Sequence, residues 1–174
     1  MNISELLQDD RALRTLHSPE VNPLAEEHAL QEAQVLDVRF DVVTAVVGVL
    51  FELRQALQLR EASAGVLVVR GVREFAWSGP DRGTELTAWS VGSSVPSTKG
   101  RLFSLSLVMW PHPGAHLVLA GESAAFFVGD VPGLQDVPPD YGLGDRRAID
   151  SDVATWSSLF LPVSAAFLDP APRA

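Results

Sequence analysis

Residues 35–79 decide the fold, with the sequence VLDVRFDVVTAVVGVLFELRQALQLREASAGVLVVRGVREFAWSG. Over residues 36–41, apolar and charged side chains alternate strictly. This period of two puts the apolar side chains on one face of an antiparallel strand and the charged ones in solvent. The later runs are rich in Val, Leu and Phe, which suit a pleated sheet. We therefore predict that the stretch is the scaffold of an antiparallel sheet and carries structure, not chemistry.

The same stretch is predicted to continue as a long hairpin. Residues 42–50 are almost uninterruptedly apolar, which indicates a strand buried on both faces or the approach to a bend at Gly48. Residues 50–60 suit either a strand or a helix. We favour the strand, because the small residues of 61–65 make a loop before strand composition resumes at 66–77.

Further strands are predicted in the second half of the chain from alternation and from turn residues. In chain order we expect a loop at 78–83, a strand at 85–91, a flexible connection at 92–100, a hairpin at 101–128 with a bulge or kink near Gly121, and a short final strand at 163–168.

Helical patterns lie at both ends of the chain. A helix from about Ser4 to Leu16 is capped by Asn2, and residues 20–33 are either a short second helix or a linker. A helix from about Arg146 to Leu159 carries an apolar stripe at a spacing of four, three and four residues. We predict that this stripe closes one face or end of the sheet; its members are Ile149, Val153, Trp156 and Phe160.

These patterns predict a mainly β (α+β) protein. We expect an antiparallel β-sandwich or open barrel of about seven or eight strands, with an N-terminal helix and a C-terminal helix. The predicted organisation is an N-terminal helical segment at 1–33, followed by a single antiparallel β domain at 34–174 that includes the C-terminal helix. The four tryptophans are predicted to pack in the core or at its edge; they are Trp77, Trp89, Trp110 and Trp156.

Charge and composition restrict the possible functions. The 174 residues include 13 Lys and Arg against 22 Asp and Glu, a net charge of −9 that opposes a phosphate backbone and allows a basic protein partner. The absence of cysteine excludes disulfides, thiolate metal sites and thiol nucleophiles. The N-terminus is acidic where a signal peptide is basic, and no long apolar run is present. We expect a cytoplasmic protein that binds neither nucleic acid nor membrane.

No motif in the sequence specifies catalysis. There is no Gly-x-Ser-x-Gly elbow, phosphate-binding loop or dinucleotide fingerprint. His112 and His116 bracket a turn, but a metal site needs three or four convergent ligands and no third lies nearby, so we interpret both as exposed turn residues. We therefore predict no cofactor, no metal and no enzymatic activity.

A long loop at 129–144, rich in glycine and proline, is the predicted working surface, because loops of this length are often functional. Acidic residues and the tyrosine lie close together in this loop and just after it. Together they form an acidic, partly aromatic surface that we predict to bind a partner. The alternative is a solvated loop with helix caps. The predicted partner-binding residues are Asp130, Asp136, Asp140, Tyr141 and Asp145.

The strand rhythm over residues 35–78 supports a resemblance. Three successive segments carry it, namely LDVRFD, VVTAVVGVLFELR and GVLVVRGVREFAWS. In this rhythm the chain resembles small uncharacterised actinobacterial proteins, and it is similar to the β-rich immunity proteins of bacterial polymorphic toxin systems. This resemblance implies a cytoplasmic binding protein that neutralises a toxin by occlusion. It identifies no functional residue that can be transferred to this chain.

Two hypotheses for function follow. In the first, the chain is a non-enzymatic protein-binding module, of immunity type, whose acidic surface occludes a basic partner. In the alternative, it is a structural or assembly subunit that self-associates or joins a larger particle through edge strands or its N-terminal helix. An enzyme acting on a small molecule ranks third, since a sandwich or barrel can enclose a ligand cavity.

Overall fold

Nine strands form one antiparallel sheet in the computed structural model, which describes residues 1–81, 86–111, 114–142 and 145–169. Across the sheet the strands lie in the order β4-β7-β6-β5-β1-β2-β3-β8-β9. In chain order they are β1 Gln34–Asp41, β2 Val46–Glu52, β3 Ala64–Arg70, β4 Glu74–Ser78, β5 Trp89–Lys99, β6 Leu102–Trp110, β7 Ala115–Gly121, β8 Ser123–Asp130 and β9 Leu161–Leu168.

The central strands β2, β3 and β8 are buried on both faces, as the uninterrupted apolar composition of residues 42–50 predicted for β2. One face of these strands belongs to a core that also includes residues of β6 and β7, and β3 contacts β7 although the two strands are not paired. The sheet therefore bends over on itself around this core. Its largest fully buried side chains include Phe51, Leu67, Phe103 and Phe126.

A second core lies on the opposite face of β2, β3, β8 and β9. It is covered by the N-terminal residues Ile3 and Leu6 together with Trp156 and Phe160. The two covering segments are joined to each other, since the amide of Ser4 donates to the Trp156 carbonyl at 2.9 Å. The N-terminus and the region before β9 thus form one layer over this face of the sheet.

The predicted sandwich or open barrel of seven or eight strands is wrong, because the nine strands form one continuous sheet. The prediction of a helix near each end of the chain is also wrong. The N-terminal segment has only the 3₁₀ helices Ile3–Leu7 and Arg11–Leu13. The C-terminal helix α1 spans only Arg146–Ser151. No helix among the described residues is long and apolar enough to cross a membrane.

Long-range hydrogen bonds explain why both helices are short. A helix through residues 4–16 requires the amide of Arg11 to donate to the Leu7 carbonyl, but this amide donates to the Asp9 carboxylate at 3.0 Å and the carbonyl accepts from Arg70 of β3 at 2.7 Å. In the same way, the Asp152 carbonyl accepts from Arg54 at 2.6 Å and not from the amide of residue 156. The predicted stripe on the C-terminal helix is nevertheless buried, although three of its members follow α1; these are Val153, Trp156 and Phe160.

Several strand boundaries also differ from the predictions. The strand favoured at 50–60 ends at Glu52, and residues 92–99 of the predicted flexible connection at 92–100 lie within β5. The predicted strand at 66–77 breaks at Gly71, where a φ of +60° lets the chain turn so that β4 pairs with β7 and not with β2. The β6–β7 hairpin and the final strand β9 confirm two predictions. We predicted a bulge or kink near Gly121. At this residue β7 ends, and the next strand, β8, pairs with β3.

Candidate functional site

Strand β4 forms one edge of the sheet, and all five of its residues are exposed. Phe75 and Trp77 lie opposite Leu119 and Leu117 of β7, so both aromatic side chains are on the core side of the sheet. On its other side β4 pairs with no strand among the described residues. The strand therefore presents both an unpaired backbone edge and two large apolar side chains.

Aromatic contacts join this edge to β1 and β5. The ring of Phe75 lies 5.6 Å from that of Phe40, and the ring of Trp77 meets that of Trp89 edge-on at 5.7 Å. Phe40, Phe75 and Trp77 keep 43%, 37% and 42% of their surface exposed, whereas Trp89 is buried. We call β4 together with Phe40 the aromatic edge. Large apolar side chains exposed side by side are typical of interaction sites.

The turn after β1 places further apolar side chains beside the aromatic edge. The Asp41 carboxylate accepts from the amides of Val43 and Thr44, and Ala45 follows with a φ of +53°. Hydrogen bonds from the Thr44 hydroxyl and amide lower the pKa of Asp41, so the turn is held by an ionised carboxylate. Val42 and Val43 project from this turn with 75% and 95% of their surface exposed.

Carboxylates border the aromatic edge. Asp41 follows Phe40 and Glu74 precedes Phe75, and both acidic residues are exposed. Of the neighbouring cations, Arg73 is paired with Glu122, and the guanidinium of Arg39 lies over the ring of Trp156. The aromatic edge is therefore an apolar strip with an acidic rim.

Sequence reasoning missed this surface, because it assigned Trp77 to the core or its edge and not to a binding surface. Trp110 was assigned in the same way, and it is half exposed, whereas Trp89 and Trp156 are buried as predicted. A signal for Trp77 was present: it stands at the end of a strand directly before Ser78-Gly79-Pro80, where neighbouring strands give least cover.

The structure does not gather the five predicted partner-binding residues into one site. Three of them hold backbone amides: the carboxylate oxygens of Asp130, Asp140 and Asp145 accept from the amides of residues 63, 142 and 148 at 2.8–3.0 Å. Asp136 is exposed, and Tyr141 is half-buried. Binding of a partner by these residues stays a prediction.

The predicted loop residues also line two different clefts. Tyr141 lines a cleft of about 310 Å³ with Arg146 and Asp150. Asp130 and Asp136 line another of about 650 Å³. The described residues contain no group of three or more potential metal ligands. His112 lies outside the described residues, and the half-buried His116 lies on β7 opposite Ser78 and Val108.

A buried ion pair anchors the predicted loop to the sheet. Arg54 binds both carboxylate oxygens of Glu52 at 2.8 and 2.6 Å, and the two side chains are 6% and 0% exposed. Arg54 also donates to the carbonyls of Gln135 and Asp152 at 2.6 Å. Burial works to lower the pKa of Arg54, but the hydrogen bonds and charges of Glu52 and Asp152 together outweigh it, so this pKa is raised and the guanidinium stays charged.

Tyr141 provides a direct test of how this loop packs. Burial of the phenol, followed by the nearby charge of Glu52, raises the pKa of Tyr141 above its ordinary value of 10.0. Because Tyr141 is the only tyrosine, the tyrosinate absorbance of the protein reports this pKa alone. We expect the midpoint to lie above that of the urea-unfolded chain.

This raised pKa has a consequence for stability. The folded state holds the phenol proton more tightly than the unfolded state, so the contribution to stability is complete below the unfolded pKa and is lost as the pH rises through the folded one. A folded-state midpoint equal to or below that of the unfolded chain would contradict the packing of Tyr141.

Comparisons with known proteins assign neither a family nor a function. No protein-family model and no curated protein matches the chain. Among solved structures, it is similar to an uncharacterized protein from Neisseria gonorrhoeae, with 9% sequence identity and a TM-score of 0.45, over 58% of this chain and 94% of that one. Similarity at this level carries no argument about function. The resemblance to immunity proteins and the actinobacterial origin stay predictions.

Proposed function

We propose that the protein is a protein-binding module that captures an extended, basic segment of a partner at the aromatic edge. The observation that carries this proposal is β4, an edge strand whose outer side pairs with no strand in the described part of the chain, and whose five exposed residues include Phe75 and Trp77. A partner segment would add a tenth strand beside β4, with backbone hydrogen bonds supplying affinity and side-chain pockets supplying selectivity.

The side chains of β4 favour contact with such a partner over contact with solvent. An exposed, apolar edge strand is an aggregation hazard, and proteins usually protect it with charge, proline or cover. In β4 only Glu74 is charged, and its aromatic residues alternate with small ones. Trp and other aromatic residues are the side chains that most often dominate binding energy at interfaces.

Charge supports a basic partner. The acidic rim of Asp41 and Glu74 adds to a net charge of −9, and opposite charge speeds association and disfavours acidic competitors. An immunity-type role, in which the partner is a toxin, is the specific form of this proposal that the resemblance over residues 35–78 implies. We place this binding in the cytoplasm and propose no catalytic step.

The test is a random peptide library selected on the whole protein. We expect the enriched peptides to alternate apolar residues with Lys or Arg, the pattern of a strand that covers Phe75 and Trp77 with one face. Methylating alternate backbone nitrogens of a selected peptide should abolish binding in calorimetry, because it removes the ladder hydrogen bonds. Peptides that bind equally well after methylation would overturn the proposal.

A pair of matched variants locates the site. Phe75→Ala with Trp77→Ala should weaken peptide binding at least tenfold, since each aromatic anchor contributes about 1–3 kcal/mol. The control is Leu161→Ala in β9 at the opposite edge of the sheet, where the side chain is 49% exposed. An equal loss of binding in the Leu161 variant would show that the peptide does not bind at β4.

A further inference from the structure

The cleft of about 310 Å³ that Tyr141 lines is built from distant parts of the chain. One wall is β1, and the other is α1 with the segment that follows it, up to Trp156. Leu86 and Thr87, before β5, also contribute to the lining. We call this the Tyr141 cleft. Its volume lies at the lower end of the range of about 300–1,000 Å³ found for small-molecule sites, so it has room for one small organic molecule.

Both carboxylates in the Tyr141 cleft are already bound by groups of the protein. The indole nitrogen of Trp156 donates to one oxygen of Asp37 at 2.7 Å, and the amide of Val38 donates to the other at 2.8 Å. The Nε of Arg146 lies 2.9 and 3.0 Å from the two oxygens of Asp150. Because each of these oxygens already has a donor, the carboxylates give a cationic ligand little reason to bind here.

Two donors in the same cleft are not used in this way. Within the described part of the chain, the guanidinium of Arg39 makes no hydrogen bond or ion pair, and it lies over the ring of Trp156. The hydroxyl of Tyr141 likewise bonds to no described residue. Because burial raises the pKa of Tyr141, the phenol keeps its proton at neutral pH and remains a donor. The free capacity of the cleft therefore suits a ligand that supplies acceptors and a negative charge.

We propose that the Tyr141 cleft binds a small organic acid, whose carboxylate pairs with Arg39 and whose apolar body packs against Ile149 and Val153. A guanidinium matches a carboxylate with two parallel hydrogen bonds, and its contact with the Trp156 ring orients it before the ligand arrives. The hydroxyl of Tyr141 donates to a second acceptor on the ligand. A phosphate monoester is a poorer fit, because its nearly two negative charges would meet this single free guanidinium and two carboxylates.

The acidity of the whole chain does not oppose this binding strongly. At physiological salt, charges more than about 8 Å away are largely screened, so the net charge of −9 acts weakly inside the cleft and the contact with Arg39 decides. The cleft is also separate from the aromatic edge. Arg39 and Phe40 are successive residues of β1, so their side chains point to opposite faces of the sheet. The proposal therefore does not rest on peptide capture at β4.

The test is a set of small aromatic and aliphatic carboxylic acids, each paired with its own primary amide, added to the whole protein at up to about 5 mM. Tryptophan fluorescence follows binding, since Trp89 and Trp156 both line the cleft. We expect acids from the set to bind, and each of them to bind about tenfold or more tightly than its amide. The amide has the same shape and lacks the charge that pairs with Arg39.

Variants assign the binding to this cleft. Arg39→Gln should remove the preference for the acid over the amide, whereas Arg39→Lys keeps the charge and should retain most of it. Tyr141→Phe should weaken acid binding about two- to tenfold, the effect of one neutral hydrogen bond.

The matched control is Arg101→Gln, which removes an exposed cation just after β5, at the far end of this strand from Trp89. It should leave acid binding unchanged. A set in which no acid binds, amides that bind as tightly as their acids, or equal effects of Arg39→Gln and Arg101→Gln would each overturn the proposal. These results leave peptide capture at β4 untouched, because that is measured with peptides and with variants of Phe75 and Trp77.

Discussion

Replacing Arg54 with methionine is expected to lower the free energy of unfolding by about 3–5 kcal/mol, because it leaves a buried carboxylate without its partner. The Glu52 side chain is fully buried and accepts three hydrogen bonds from Arg54, two from the guanidinium and one from the amide. Methionine keeps much of the packing of the arginine stem and removes the charge. Against a typical total of about 5–15 kcal/mol, the loss is large. Urea unfolding followed by tryptophan fluorescence measures it.

A second variant shows whether the unpaired charge is the cause. Adding Glu52→Gln to Arg54→Met removes the stranded carboxylate, so the double variant should be more stable than Arg54→Met alone by about 1–3 kcal/mol. In both variants we expect faster amide exchange in residues 134–137, since Arg54 no longer binds the Gln135 carbonyl. A double variant that is less stable than the single one would show that the unpaired Glu52 carboxylate is not the cause of the loss.

Replacing Trp156 with alanine is expected to cost about 3–5 kcal/mol, the usual penalty for emptying a buried aromatic site. The side chain is 2% exposed in the second core, and its indole nitrogen donates to the Asp37 carboxylate at 2.7 Å. The guanidinium of Arg39 lies 5.1 Å from its ring centre. The ring packs against Gly48 of β2, so its removal leaves a cavity between the sheet and the layer that covers it. Thermal and urea unfolding both measure the loss.

Trp156→Phe is the matched control for this prediction. It keeps an aromatic ring in the core and removes the hydrogen bond to Asp37, whose exposed carboxylate can turn to water instead. The phenylalanine variant should therefore lose clearly less stability than the alanine variant. Equal losses would mean that the hydrogen bond, and not burial of the ring, anchors residues 153–160 to the sheet.

The strands were the most predictable part of this protein. Strict alternation over residues 36–41 and uninterrupted apolar composition after it correspond to β1 and β2, because a strand's side-chain period of two is a local property. The β6–β7 hairpin followed from alternation on both sides of a proline-glycine turn. The total of nine strands in one sheet was not predictable, since pairing joins residues far apart in sequence, such as β3 with β8.

The candidate site was much less predictable. The acidic loop was expected to act as one surface, but Asp130, Asp140 and Asp145 bind nearby amides and the loop lines two separate clefts. The aromatic edge was missed because burial of an aromatic residue depends on which strand lies beside it. Composition alone makes Trp77 a core residue, and only its place on the outermost strand leaves it exposed.

By itself, the sequence determined that this chain builds an antiparallel sheet, because alternation and turn chemistry act over a few neighbouring residues. Tertiary structure alone decided the helices and the working surface. Arg70 and Arg54 reach from the sheet to the carbonyls of Leu7 and Asp152, and each takes the acceptor that a longer helix would have used. In the same way, the pairing of β4 with β7 places Phe75 and Trp77 at an open edge. Both results depend on contacts between distant residues, which no local pattern records.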